Sequence, residues 1–157
     1  MKLTLAGLRD YDFLQKEHEY NAFGGNGGNL SPALNWDNAP AEAKSFAVTV
    51  YDPDAPTGSG FWHWVAYDIP APHRSLAAGA GTPGNNDIQH AQSDFGQAGY
   101  GGCCPPEGDV AHRYIFTLHA LGCEKLGVGS GVPNAVVRFL IQMNTIQTAS
   151  VITLYKR

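Results

Sequence analysis

Apolar positions in this chain fall mostly into short runs of period two, and a single stretch carries the three-to-four spacing of a helix. SFAVTVY (Ser45 to Tyr51) and FWHWVAYDI (Phe61 to Ile69) have the length, β-branching and aromatic content of buried strands, with DPDAPTGSG as the turn between them. HRYIFTLHAL (His112 to Leu121) alternates most regularly, setting His112, Tyr114, Phe116 and Leu118 on one face and Arg113, Ile115, Thr117 and His119 on the other. Val136, Val137, Leu140, Ile141 and Asn144 recur at helical spacing, which predicts a helix over 134–147 with Pro133 near its first turn. ASVITLY (Ala149 to Tyr155) reads as a closing strand. The stretch to about Asn38 reads as loops around short strands, and Leu76 to Glu107, which has no period, as a long ordered loop. Strands with one late helix make the fold class β-rich, mainly β or α+β.

Length and composition narrow this further. At 157 residues the chain suits one domain, and a core of that size forms without disulfides or structural zinc. Charged residues are only 15%, while 19 Gly and 10 Pro favour strands with ordered loops over a helical bundle. With 10 Lys+Arg against 14 Asp+Glu and no basic cluster, a nucleic-acid or anionic-membrane surface is not expected. The opening MKLTLAGLRDYDF is too short in apolar residues for a signal-peptide core, and no segment reaches the ~18 apolar residues of a membrane helix. The expectation is a soluble cytoplasmic protein. Cys103, Cys104 and Cys123 are odd in number and lack paired CxxC spacing, so they read as free thiols; a redox pair at Cys103 and Cys104 is disfavoured by vicinal strain.

Candidate chemistry collects at strand ends. Asp52 and Asp54 follow the first long strand, His63 lies in the second, and His112 and Tyr114 begin the third. By period two His63 shares a face with Val65, Tyr67 and Ile69, so it is either a hydrogen-bonded core residue or a pocket residue. Trp62 and Trp64 then fall together on the opposite face, as core or dimer packing. Asp52 reads either as an Asx turn or as the partner that orients a histidine, and Asp54 as the partner of Arg113.

These elements occur with longer signatures. DPDAPTG and WHW, then PPEG and HRY, resemble the two signature regions of the phosphatidylethanolamine-binding protein family, specifically its bacterial Raf-kinase-inhibitor-like branch. NLSPALNW, APAEAKSFAVTVYDPDAP and DFGQAGYGG extend the resemblance over nearly the whole chain. It implies a single domain over residues 1–157, with a large antiparallel sheet, a smaller second sheet and one main C-terminal helix. It also implies a shallow anion pocket at Asp52, His63, Cys104, Pro105, His112 and Tyr114, with Asp54, Pro56 and Arg113 as structural neighbours. The peptide bond between Ala55 and Pro56 is the candidate cis bond. Cys103 stands where relatives often carry proline, and Gly108 to His112 is longer than in many bacterial members.

The chemistry fits an anion site. Two imidazoles and a phenol supply N–H and O–H donors to phosphate oxygens, and a protonated imidazole gives the stronger, charge-assisted bond. Asp52 orients a histidine or receives the ammonium of a zwitterionic head group. The expected function is binding of a phosphate-like anion, phospho-head group or phosphorylated residue, without a cofactor or catalytic residue, and with regulation of a kinase or other signalling partner as a family-level implication. The competing reading is an enzyme that uses His63, His112 and Asp52 as a metal site or an acid–base pair. A third is an interaction protein, and a homodimer is expected from the branch.

Overall fold

The computed structural model describes residues 1–84 and 87–157. Two antiparallel sheets enclose the main core. The smaller has the strand order β1 (Lys2–Leu5), β2 (Leu34–Asp37), β5 (Ser75–Leu76). The larger runs β6 (Gln89–His90), β4 (Phe61–Pro70), β3 (Ser45–Asp52), β7 (His112–Leu121), β8 (Thr145–Tyr155). One helix, α1 (Asn134–Asn144), lies on the outer face of the larger sheet, and no helix among the described residues is long and apolar enough to cross a membrane.

Period two explains how the core divides. On the face of β7 that carries Tyr114, Phe116 and Leu118, these residues join Leu3, Leu34, Trp36, Phe46, Val48 and Trp64 between the sheets. Ala47, Val65, Tyr67 and Leu121 turn the other way and meet Val137 and Ile141 of α1. The outer side of that helix leaves Val136, Phe139 and Met143 exposed.

Two irregularities in β4 correct the simple alternation. Val50 pairs with Trp64 and Tyr51 with Trp62, which leaves His63 as the extra residue of a β-bulge. The bulge turns His63 toward Tyr114, on the side of Trp64, and away from Val65. Trp62 and Trp64 consequently lie on opposite faces: Trp64 is in the inter-sheet core, and Trp62 packs on the helix side under the Arg138 guanidinium at 3.9 Å. A second register shift lies between Phe46 and Val48, opposite Asp68, whose φ is +58°, and returns Ile69 to the inter-sheet core.

The helix ends three residues before the position that its apolar spacing predicts. Asn144 Nδ2 donates to the Leu140 carbonyl and Thr145 Oγ1 to that of Ile141, satisfying the last turn from side chains. The chain then enters β8 directly, because Thr145, Thr148 and Val151 pair along the full length of β7. The loop read over 76–107 contains β6 and the end of β5, and it crosses the two undescribed residues.

Phe116 is fully buried at the centre of the inter-sheet core. Phe116→Ala is expected to cost about 3–5 kcal/mol by urea denaturation, the range for deleting a large buried ring. A loss below about 1 kcal/mol would contradict this account of the core.

Candidate functional site

Antiparallel pairing brings the end of β3 beside the starts of β4 and β7, so residues distant in sequence meet at one end of the three central strands of the larger sheet. Asp52 closes β3, Phe61 and His63 open β4, and His112 opens β7. A pocket of about 310 Å³ lies over these strand ends. Its polar lining comes from Asp52, Thr57, His63, Asp94, Cys104 and His112, and its apolar walls from Phe23, Phe61, Phe95 and prolines 56, 105 and 106.

Asp52 is locked before any ligand arrives. Its Oδ1 accepts the backbone N–H groups of Asp54 (2.8 Å) and Ala55 (3.0 Å), an Asx turn that starts the Pro-rich loop. Its Oδ2 accepts from His112 Nδ1 at 2.8 Å, and both residues are buried. The turn continues through Thr57, whose N–H donates to the Ala55 carbonyl and whose hydroxyl donates to that of Gly60. Every peptide bond among the described residues is trans, including Ala55–Pro56. These hydrogen bonds hold the turn without the cis bond that the resemblance implies.

The second nitrogen of His112 is also engaged, with Nε2 3.1 Å from Asp109 Oδ2. Burial alone pulls the His112 pKa down, but the hydrogen bonds and charges of Asp52 and Asp109 outweigh it and the net shift is upward. A ring that faces two carboxylates has an acceptor for each N–H, which favours its doubly protonated form.

His63 is the opposite case. Its Nδ1 lies 2.8 Å from the Gly101 carbonyl and 3.0 Å from that of Gly102, which fixes the tautomer with hydrogen on Nδ1. A Cβ on Gly101 would stand 2.3 Å from the Phe95 ring, so the carbonyl approach needs glycine there. Burial lowers the His63 pKa, against the raising effect of those carbonyls and of Asp52. Neutral His63 therefore presents an Nε2 lone pair, an acceptor rather than the donor that the sequence suggested.

The remaining predicted residues take different places. Asp54 receives Arg113 through the backbone N–H (2.8 Å), Nε (3.0 Å) and Nη2 (2.8 Å), and the guanidinium holds the Asp54 carboxyl below its ordinary range. Tyr114 is buried beneath His63, with ring centroids 5.1 Å apart, and does not line the pocket. Among the described residues its hydroxyl meets no partner of hydrogen-bonding geometry, and burial pushes its pKa up. Cys104 contributes its side chain to the wall, where its thiol points to the carbonyls of Ala22 and Phe23 and burial pushes its pKa up. Cys103 is buried, its thiol pushed up further, and all three cysteines are free.

Residues outside the predicted set complete the rim. Asp94 Oδ2 accepts the Trp62 N–H at 2.7 Å and its Oδ1 the Asn134 amide at 2.8 Å, tying the long loop to β4 and α1. Phe95 stacks on Tyr20 and packs edge-on to Phe61. Arg157 donates to the carbonyls of Pro105 (2.8 Å) and Gly24 (2.6 Å), joining two sides of the rim. Behind it, buried Glu19 takes Lys16, Tyr155 and the Asn26 N–H. DFGQAGYGG marks the Asp94 segment in the sequence; no local pattern marks Phe23, Arg157 or Asp109.

Comparison with known proteins defines the class. The family model for phosphatidylethanolamine-binding protein matches residues 10–156, and the chain belongs to that family. It is 45% identical to the UPF0098 protein YbhB of Escherichia coli over 158 aligned positions, covering 99% of each chain. YbcL of the same organism is also 45% identical, over 99% of this chain and 87% of that relative. The crystal structure of E. coli YbcL, described as a new member of the mammalian PEBP family, superposes with a TM-score of 0.94 over 99% of this chain and 98% of that one, at 42% identity. A phosphatidylethanolamine-binding protein homologue from Chlamydia trachomatis superposes with a TM-score of 0.84 over 99% of this chain and 97% of that one, at 27% identity.

The two histidines have opposite pH signatures. By NMR, His112 is expected to titrate above the ordinary 6.5 and His63 below it. The stability that His112 contributes is then complete below pH 6.5 and lost as pH rises through its raised midpoint. That of His63 is present above 6.5 and lost as pH falls through its lowered midpoint. Coincident midpoints near 6.5 would contradict both environments.

Proposed function

We propose that the pocket binds the phosphate of a small organic phosphate or phospho-head group, and that the protein acts by occupancy without turnover. The observation that carries this reading is the buried Asp52–His112 pair, which favours the protonated, N–H-donating form of a histidine that lines the pocket. A phosphate brings three strong acceptor oxygens and up to two charges to that donor. The apolar walls of Phe23, Phe61, Phe95 and the prolines suit the carbon body of an organic phosphate. Neutral His63 and the Asp94 carboxylate supply acceptors for an ammonium or hydroxyl on the same ligand. A phosphorylated side chain of a protein partner carries the same phosphate chemistry, which is the route by which occupancy would regulate a kinase or other signalling protein.

The enzyme reading finds less support. Both oxygens of Asp52 are already engaged, and a protonated His112 has N–H groups for an anion but no lone pair for a metal, so of the three residues only His63 Nε2 is open as a ligand. Among the described residues no group of three or more His, Cys, Asp or Glu is arranged to hold a metal ion. The Cys104 thiol, with its raised pKa, is a poor nucleophile.

Calorimetric titration with inorganic phosphate and with O-phosphorylethanolamine, in chelator, tests the proposal. Saturable binding is expected, tighter at pH 6 than at pH 8 because the charged form of His112 is favoured below its raised midpoint. His112→Ala should weaken it at least tenfold, in line with loss of a charge-assisted bond worth about 1.5–3 kcal/mol. Absence of heat at millimolar ligand with folded protein would overturn it.

A further inference from the structure

The two carboxylates on His112 are unlike. Asp52 is buried and tied by two backbone N–H groups, whereas the Asp109 side chain is 47% exposed and, among the described residues, its carboxylate is bonded only to His112 Nε2. Asp109 sits on a turn after Pro105 and Pro106, closed by its own N–H to the Pro106 carbonyl (3.2 Å) and by the Gly108 N–H to that of Arg157 (3.1 Å). Gly108 has φ +84° with open space around its Cβ position, and Val110 is 79% exposed, so little packing opposes movement of this turn. The contact at Nε2 is therefore made by a solvent-facing group of the same charge as the proposed ligand.

We propose that Asp109, which stands outside the cavity lining, is an intramolecular occupant of the anion donor: its carboxylate holds the His112 Nε2–H that an incoming phosphate needs, and it must leave for phosphate to bind there. This rests on the phosphate-binding reading given above. A tethered carboxylate has an effective concentration of the order of millimolar or more, so a free monocarboxylate gains little by replacing it. A phosphate, with more oxygens and a second ionisation near pH 6, competes better. Asp109 thus sets both affinity and selectivity, raising the threshold for occupancy and favouring phosphates over carboxylates. Other charged or titratable groups near His112 are Asp52 from β3, His63 from β4, Tyr155 paired with it on β8, Asp94 and Cys104 in the same pocket lining, and the Asp54–Arg113 pair beside it.

The test compares wild type with Asp109→Asn and Asp109→Ala at pH 6, where Asp52 still favours the imidazolium, using inorganic phosphate and acetate as probes. Both variants should bind phosphate at least fivefold tighter than wild type, and acetate binding should become measurable only in the variants. By NMR the His112 titration midpoint should fall in Asp109→Asn, reporting loss of the second carboxylate independently of any ligand. If wild type binds phosphate and the folded variants bind it no tighter, the occupant role is overturned while the phosphate site stands. If no form binds phosphate, the site reading fails and the occupant role with it. An unchanged His112 midpoint in Asp109→Asn also overturns the role, because the carboxylate is then not on Nε2.

Discussion

The pocket depends on a buried carboxylate–imidazole pair. Asp52 and His112 lie within the protein at 2.8 Å, and such a pair is tolerated only where the surrounding lone pairs and protons are satisfied. That requirement accounts for much of the local architecture. The Asx turn over Asp54 and Ala55 fills the second oxygen of Asp52, and Asp109 fills the second nitrogen of His112. The bidentate Asp54–Arg113 bridge then ties the turn to β7 on the solvent side. Removing one partner of the central pair would leave the other as an uncompensated buried charge, so the pair and its loops form one unit.

The same end of the sheet gives its second histidine the opposite character. The bulge that turns His63 inward hands its Nδ1 proton to two carbonyls, and burial keeps the ring neutral. One pocket is thereby lined by a histidine whose pKa is raised and a histidine whose pKa is lowered, framed by phenylalanines. A purely cationic cleft would take any anion. On the proposed reading, the ligand presents phosphate to one side and a hydrogen-bond donor to the other, which is the property of a zwitterionic head group.

The strands at Ser45, Phe61 and His112 are legible in the sequence because each combines β-branched and aromatic residues with a clear period, and the helix because Val137 and Ile141 recur at four. The signatures around Asp52 and His112 place both at strand ends, and antiparallel topology brings them together. What escapes a linear reading depends on closure in three dimensions. The bulge at His63 carries no local composition signal, so alternation groups His63 with Val65 and Tyr67, and Trp62 with Trp64, although the fold puts the members of each group on opposite faces. Tyr114 follows the period correctly onto the inward face, but the pocket stops above it at His63. Phe23, Asp109 and Arg157 lie in irregular segments whose contacts are set only when loops from both ends of the chain converge.

Nitrogen-resolved NMR of the His112 imidazole, recorded at pH 6 with and without inorganic phosphate, addresses the central claim most directly. The account predicts both ring nitrogens protonated in the free protein, with a saturable shift at Nε2–H on adding phosphate and a nearly unmoved Nδ1–H, held by Asp52. A ring found neutral at pH 6, or one whose Nε2 signal is indifferent to phosphate, would contradict a charged donor at the floor of the pocket.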